Sequence, residues 1–180
     1  MNKGILLVLS GYLMWGCFPL YWALLNHVNP SEVLIHRMLW AVPVLFLLVH
    51  FKSSWKNNFK DSISSKKELV FLFITAILIT INWGGYIYAV NLGRVVEASM
   101  GYFLSPVINM IGGYIFFQER ISKLKQLSVF FATVGALYYV FSGDSFPWLG
   151  FLVGFTFSAY GIARKAVSYT HLTLPTTPYV

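Results

Sequence analysis

Charge is scarce in this 180-residue sequence: only 11% of its residues are Asp, Glu, Lys or Arg. Soluble domains carry about a quarter, so a soluble domain is excluded. Cysteine is scarcer still. The one cysteine, Cys17, lies inside an apolar run, which excludes a disulfide framework, a CxxC pair and a Cys/His metal site. The six carboxylates include no pair at hydrolase spacing. GxSxG, HExxH and the Gly-rich phosphate loop are absent too, so an enzyme reading has no chemical footing and no cofactor or metal is expected. The first apolar run has no A-x-A cleavage site behind it and is read as a retained span.

What is abundant is apolar surface, with 57% of residues in the hydrophobic set and a mean hydropathy of +0.67. Six apolar segments stand out: Ile5 to Leu25, Pro30 to His50, Glu68 to Val90, Ala98 to Phe117, Leu124 to Phe141, and Phe146 to Ala163. About 20 apolar residues cross a bilayer as a helix, so the fold class is an all-α polytopic membrane protein with six transmembrane helices. Local signals mark several boundaries. Asn29-Pro30-Ser31-Glu32 supplies a cap, a proline at the first helical position and a carboxylate able to reach back. Ser122 is placed to cap the fifth helix, and Gly143 with Asp144 and Ser145 to separate the fifth from the sixth.

The 13 basic residues outnumber the acids, for a formal charge of +7. Their placement excludes nucleic acid as the partner. With the N-terminus in the cytoplasm, Lys3, the five lysines between Lys52 and Lys67, then Arg120, Lys123, Lys125, Arg164 and Lys165 all fall inside. Arg94 alone falls outside, and Arg37 lies within the second span. This bias fixes the orientation and leaves the lysines facing lipid head groups. Laying residue n on n+145 matches Leu7-Val8 with Leu152-Val153 and Trp15-Gly16 with Tyr160-Gly161. Five spans separate the two copies, so the second enters from the opposite face, as in inverted-repeat transporters. The implied organisation is a five-helix unit over 1–145, the first helix of a second unit over 146–167, and a Thr/Pro-rich tail over 168–180. That tail has four threonines and two prolines and no apolar run able to span, so it reads as a non-native or disordered end.

Small residues recur at i, i+4 spacing in three spans. Gly101, Ser105, Asn109 and Gly113 share one face of the fourth, Ser128, Ala132 and Ala136 one face of the fifth, and Gly150, Gly154 and Ser158 one face of the sixth. Such stripes let helix backbones approach closely in lipid. Asn109 in mid-membrane is the member that also points to function, because an amide there is costly unless satisfied. Pro106 takes the helical donor from the carbonyl of Tyr102, which predicts a kink with a gating use, aided by Gly101. His36 and Arg37 lie roughly 9 Å below the start of the second span. Arg37 either snorkels to the interface or serves a cavity. Glu97 is a candidate partner for it, with Arg94 competing, and His36 or Glu97 is a candidate for proton coupling. Asn82, Trp83, Tyr86, Tyr88 and Asn91 end the third span and Tyr102 follows across a short loop. Aromatics at a boundary form an interfacial belt, but lipid contact does not explain Asn82, Tyr86 and Asn91, and such a lining suits an amphipathic organic molecule better than an inorganic ion.

Together, Trp15-Gly16 with Pro19 and Tyr21, His36-Arg37, Asn82-Trp83, Tyr88-Ala89-Val90-Asn91, Glu97 to Phe103, Pro106, and Glu119-Arg120 with Gln126 resemble the RarD proteins of the EamA branch of the drug/metabolite transporters. The resemblance covers about Lys3 to Lys165. It implies a permease of the bacterial cytoplasmic membrane with ten helices in two inverted repeats, exporting a small organic solute by alternating access. The binding residues are then expected in one cavity near the midplane: Trp15, His36, Arg37, Asn82, Trp83, Tyr86, Asn91, Glu97, Tyr102 and Asn109. Two competing readings are a non-transporting assembly subunit and a half-size transporter that works only as an oligomer.

Overall fold

The computed structural model describes residues 3–51, 66–143 and 145–171. They form six helices in an up-and-down order: α1 (Lys3–Leu24), α2 (Pro30–Phe51), α3 (Lys66–Asn91), α4 (Val95–Phe117), α5 (Lys123–Ser142) and α6 (Trp148–His171). No strand occurs among the described residues. α1 to α5 are each long and apolar enough to cross a membrane. At 1.5 Å per residue the 22 residues of α2 extend about 33 Å, against about 30 Å of hydrocarbon. α6 is less apolar: Thr156, Ser158 and Tyr160 interrupt it, and Arg164-Lys165 follow. It also runs past Val167, where the sequence suggested a change to tail, and remains helical through His171. Asp144, the connection 52–65 and the rest of the proposed tail, 172–180, lie outside the described residues.

The Asn29 cap of α2 and the Ser122 cap of α5 form as expected, whereas no hydrogen bond brings the Glu32 carboxylate back to Asn29 among the described residues. Asn29 Oδ1 accepts from the Ser31 N–H at 3.0 Å and from the Ser31 hydroxyl at 2.6 Å, which starts α2 sharply at Pro30. Ser122 Oγ accepts from the Lys125 N–H at 3.4 Å at the start of α5. α4 closes through Gln118 in the left-handed region (φ 53°), a conformation usually left to glycine. Its N–H donates to the Tyr114 carbonyl at 3.1 Å, and that of Glu119 to Gly113 at 3.2 Å. Gly143, after α5, is extended instead.

The packing centre is α6 lying against α3 and α4. Here the small-residue stripes of the fourth and sixth helices meet each other. A Cβ on Gly101 would collide with the Gly150 carbonyl and lie 2.9 Å from the Gly154 nitrogen, so only glycine permits the observed approach. The Ser105 hydroxyl is shared between the carbonyls of Gly101 (3.1 Å) and Gly154 (3.4 Å), and Ser158 Oγ donates to the Ser105 carbonyl at 3.3 Å. Ala89, Ala98, Leu149 and Val153 form the fully buried apolar cluster, with Tyr86 and Tyr102 packed on it. Asn82, fully buried, donates from Nδ2 to the Val153 carbonyl at 2.7 Å and to Thr156 Oγ1 at 3.1 Å. Interhelical hydrogen bonds of this kind average about 0.6 kcal/mol in a membrane, and they fix which faces meet. α1, α2 and α5 instead present rows of large apolar side chains outward, the distribution a bilayer requires.

Candidate functional site

α1, α2, α3 and α4 enclose a small aromatic cavity of about 100 Å³ lined by Trp15, Phe18, Trp22, Arg37, Trp83, Tyr86, Ile87 and Tyr102. Five of the ten expected binding residues, Trp15, Arg37, Trp83, Tyr86 and Tyr102, therefore converge. Helical periodicity explains the convergence. Trp15, Phe18 and Trp22 recur at i, i+3 and i+7 on α1, and Trp83 and Tyr86 are i, i+3 on α3. The ring centroids of Trp15 and Phe18 lie 6.5 Å apart, and those of Phe18 and Trp22 5.9 Å apart. On the other wall, Tyr102 lies 5.8 Å from Tyr86 and 5.4 Å from Phe157 of α6, edge-on to the latter. Phe18 and Trp22 were not singled out from sequence, although their spacing from Trp15 was the available signal.

The Arg37 guanidinium reaches into this aromatic wall. Its central carbon stands 3.4 Å from the Trp83 ring centroid and 5.5 Å from that of Trp22, a cation–π arrangement that pays for part of the lost hydration. No carboxylate forms an ion pair with Arg37 among the described residues. The expectation that Glu97 pairs with it is corrected. Glu97 pairs with Arg94, the residue that precedes α4, at 2.5 Å, and its other carboxylate oxygen accepts the Leu149 N–H at 2.8 Å. Glu97 thus holds the start of α6, where a carboxylate also meets the positive end of the helix dipole.

The single cavity expected from sequence is divided in the structure. His36 lies next to the aromatic cavity, on the wall of a larger one of about 460 Å³ between α1 and α2, which shares Phe18, Trp22 and Arg37 with it. Asn82 turns towards α6 and not, with Tyr86, towards a common lining. Asn91 Nδ2 donates to the Asn26 carbonyl at 3.1 Å and ties the end of α3 to the α1–α2 connection. Gly101 sits in the α4–α6 contact. Asn109 and Pro106 line a separate cavity of about 550 Å³ between α4, α5 and α6, Asn109 lying about two turns beyond Tyr102 along α4.

Long apolar helices packed as a bundle, with Arg37 held among aromatic rings, define a polytopic membrane protein. Comparison with known proteins agrees. Residues 2–141 match the EamA-like transporter family, and the chain belongs to that family. It is 35% identical to the uncharacterised transporter YojE of Bacillus subtilis over 169 residues, which are 93% of this chain and 57% of that protein. It is 34% identical to the RarD protein of Escherichia coli over 167 residues, 93% of this chain and 56% of that one. A protein of Pseudomonas aeruginosa named chloramphenicol-sensitive protein RarD is 28% identical over 167 residues, covering 91% and 56%. The chain thus spans about half the length of the curated relatives it matches. No solved structure matches it.

Proposed function

We propose that the chain forms one half of a RarD-like permease that exports a small organic solute by alternating access, with the N-terminus in the cytoplasm. The carrying observation is the Arg37 guanidinium held on the face of Trp83 without a carboxylate partner among the described residues. A cation kept in a low-dielectric cavity attracts an anionic group strongly, and the surrounding rings offer stacking to an apolar body. The solute is therefore an amphipathic organic anion, its charge on Arg37 and its apolar part in the α1–α2 cavity. In this reading His36, on that wall, is the candidate for proton coupling.

The test uses p-toluenesulfonate, which stays charged, and benzyltrimethylammonium as its cationic counterpart. Proteoliposomes of the full-length permease that contains these helices are expected to release the sulfonate faster than protein-free vesicles, with no such excess for the cation. Arg37→Ala removes the excess. An excess that survives Arg37→Ala takes Arg37 out of the site, and release by the wild type equal to that of empty vesicles refutes the proposed anion export.

A further inference from the structure

We propose that the cavity between α4, α5 and α6 binds one anionic phospholipid. It is the largest of the three cavities described above, about 550 Å³, and shares no wall residue with the other two. Its length along α4, from Phe117 to Pro106, is 11 residues, or about 16 Å at 1.5 Å per residue. One leaflet of a bilayer's hydrocarbon is about 15 Å thick. The cavity is therefore as deep as one acyl layer.

The lining follows the same gradient. Met110, Leu124, Val129 and Ile162 give apolar walls, while Lys125 and Lys165 lie near the helix ends where head groups lie. Lys165 pairs with Glu119 and lies 5.1 Å from the Phe117 ring centroid, which fixes one side of the mouth. Lys125, on the opposite side, forms no ion pair among the described residues, so its charge is available to a phosphate. Arg120 and Lys123, both exposed, add to the positive potential at this end. At depth the one amide, Asn109, has its oxygen beside Gly161 of α6. A free anion would use the mouth and leave the apolar length empty, whereas an anionic phospholipid uses both. Basic pockets between transmembrane helices take such head groups.

Native mass spectrometry of the full chain from mixed micelles containing equal palmitoyl-oleoyl phosphatidylglycerol and phosphatidylcholine tests this. The wild type is expected to retain the glycerol lipid about fivefold over the choline lipid, the preference one lysine near a head group confers. Lys125→Glu abolishes the preference, and Lys125→Gln serves if that variant does not fold. Ser128→Trp, which fills the cavity without changing charge, lowers retention of the glycerol lipid to that of the choline lipid. Lys66→Glu, a charge change on α3 away from the cavity, leaves the preference intact. Equal retention of the two lipids by the wild type overturns the proposal. So does retention unchanged by Ser128→Trp, an equal loss with Lys66→Glu, or displacement of the bound lipid by excess inorganic phosphate.

Discussion

Gly101→Ala is a one-carbon change whose effect is set almost wholly by the α4–α6 contact. The new Cβ would overlap the Gly150 carbonyl, lie 2.9 Å from the Gly154 nitrogen and 3.1 Å from the Val153 Cβ. Two of these three neighbours are backbone, so no rotamer change relieves the contact and the helices must part. Opening an interface by 0.5–1 Å forfeits about a quarter to a half of the dispersion energy across it. Overpacking of this kind costs about 1–3 kcal/mol, and alanine returns about 0.5–1 kcal/mol through its better helix propensity. The net is a destabilisation centred on about 1 kcal/mol, within limits of about 0–2.5 kcal/mol. Gly135 is the internal control, a helical glycine of α5 whose Cβ would meet nothing within 4 Å, so Gly135→Ala is expected to be neutral to stabilising. Unfolding by SDS in mixed micelles, followed by circular dichroism, reads both. Gly101→Ala must lower the midpoint and Gly135→Ala must not; equal midpoints for the two variants refute the argument that the glycine contact holds α4 on α6.

Two further substitutions probe the ends of these helices. Glu97→Ala removes a charge-assisted hydrogen bond to the Leu149 N–H, worth about 1.5–3 kcal/mol, so amide exchange at Leu149 should accelerate at least about tenfold. Glu97→Gln keeps an acceptor and should recover most of the protection; if it behaves like alanine, the Arg94 pair and not the cap is what holds α6. Gln118→Gly relieves a left-handed backbone at a non-glycine residue and is expected to raise stability by about 0.5–1 kcal/mol in the same SDS titration. An unchanged or lowered midpoint would show that the turn after α4 is not strained.

Helix number and the capped starts of α2 and α5 were legible because each rests on local chemistry: an apolar run, a cap, a proline. Small-residue stripes were legible as packing faces, but which stripe meets which is a long-range fact. Gly101 was read as a gating element from its neighbourhood to Pro106, and the structure places it where a side chain has no room. Asn82 shows the same limit. Its i, i+4 relation to Tyr86 suggested one shared lining, yet the amide is satisfied by Val153 and Thr156 of α6, more than 70 positions later. Arg37 was identified as costly in the membrane, and its compensation by Trp83 and Trp22 needed three helices to be in place. Glu97 had two basic candidates, and the one three residues before it in sequence prevailed because an i, i+3 pair forms without tertiary closure.

The hydrogen bonds that join α6 to α3 and α4 connect residues 49 to 74 positions apart. At about 5–20 residues per second of synthesis, α3 has emerged from the ribosome about 4–14 s before the stretch of α6 that Asn82 reaches. During that interval Asn82 and Ser105 are within the bilayer beside helices that do not offer them these partners, while Glu97 already has Arg94. Made after them, α6 closes this first cluster of polar contacts, and the order of synthesis makes it the step at which Asn82 and Ser105 acquire these partners.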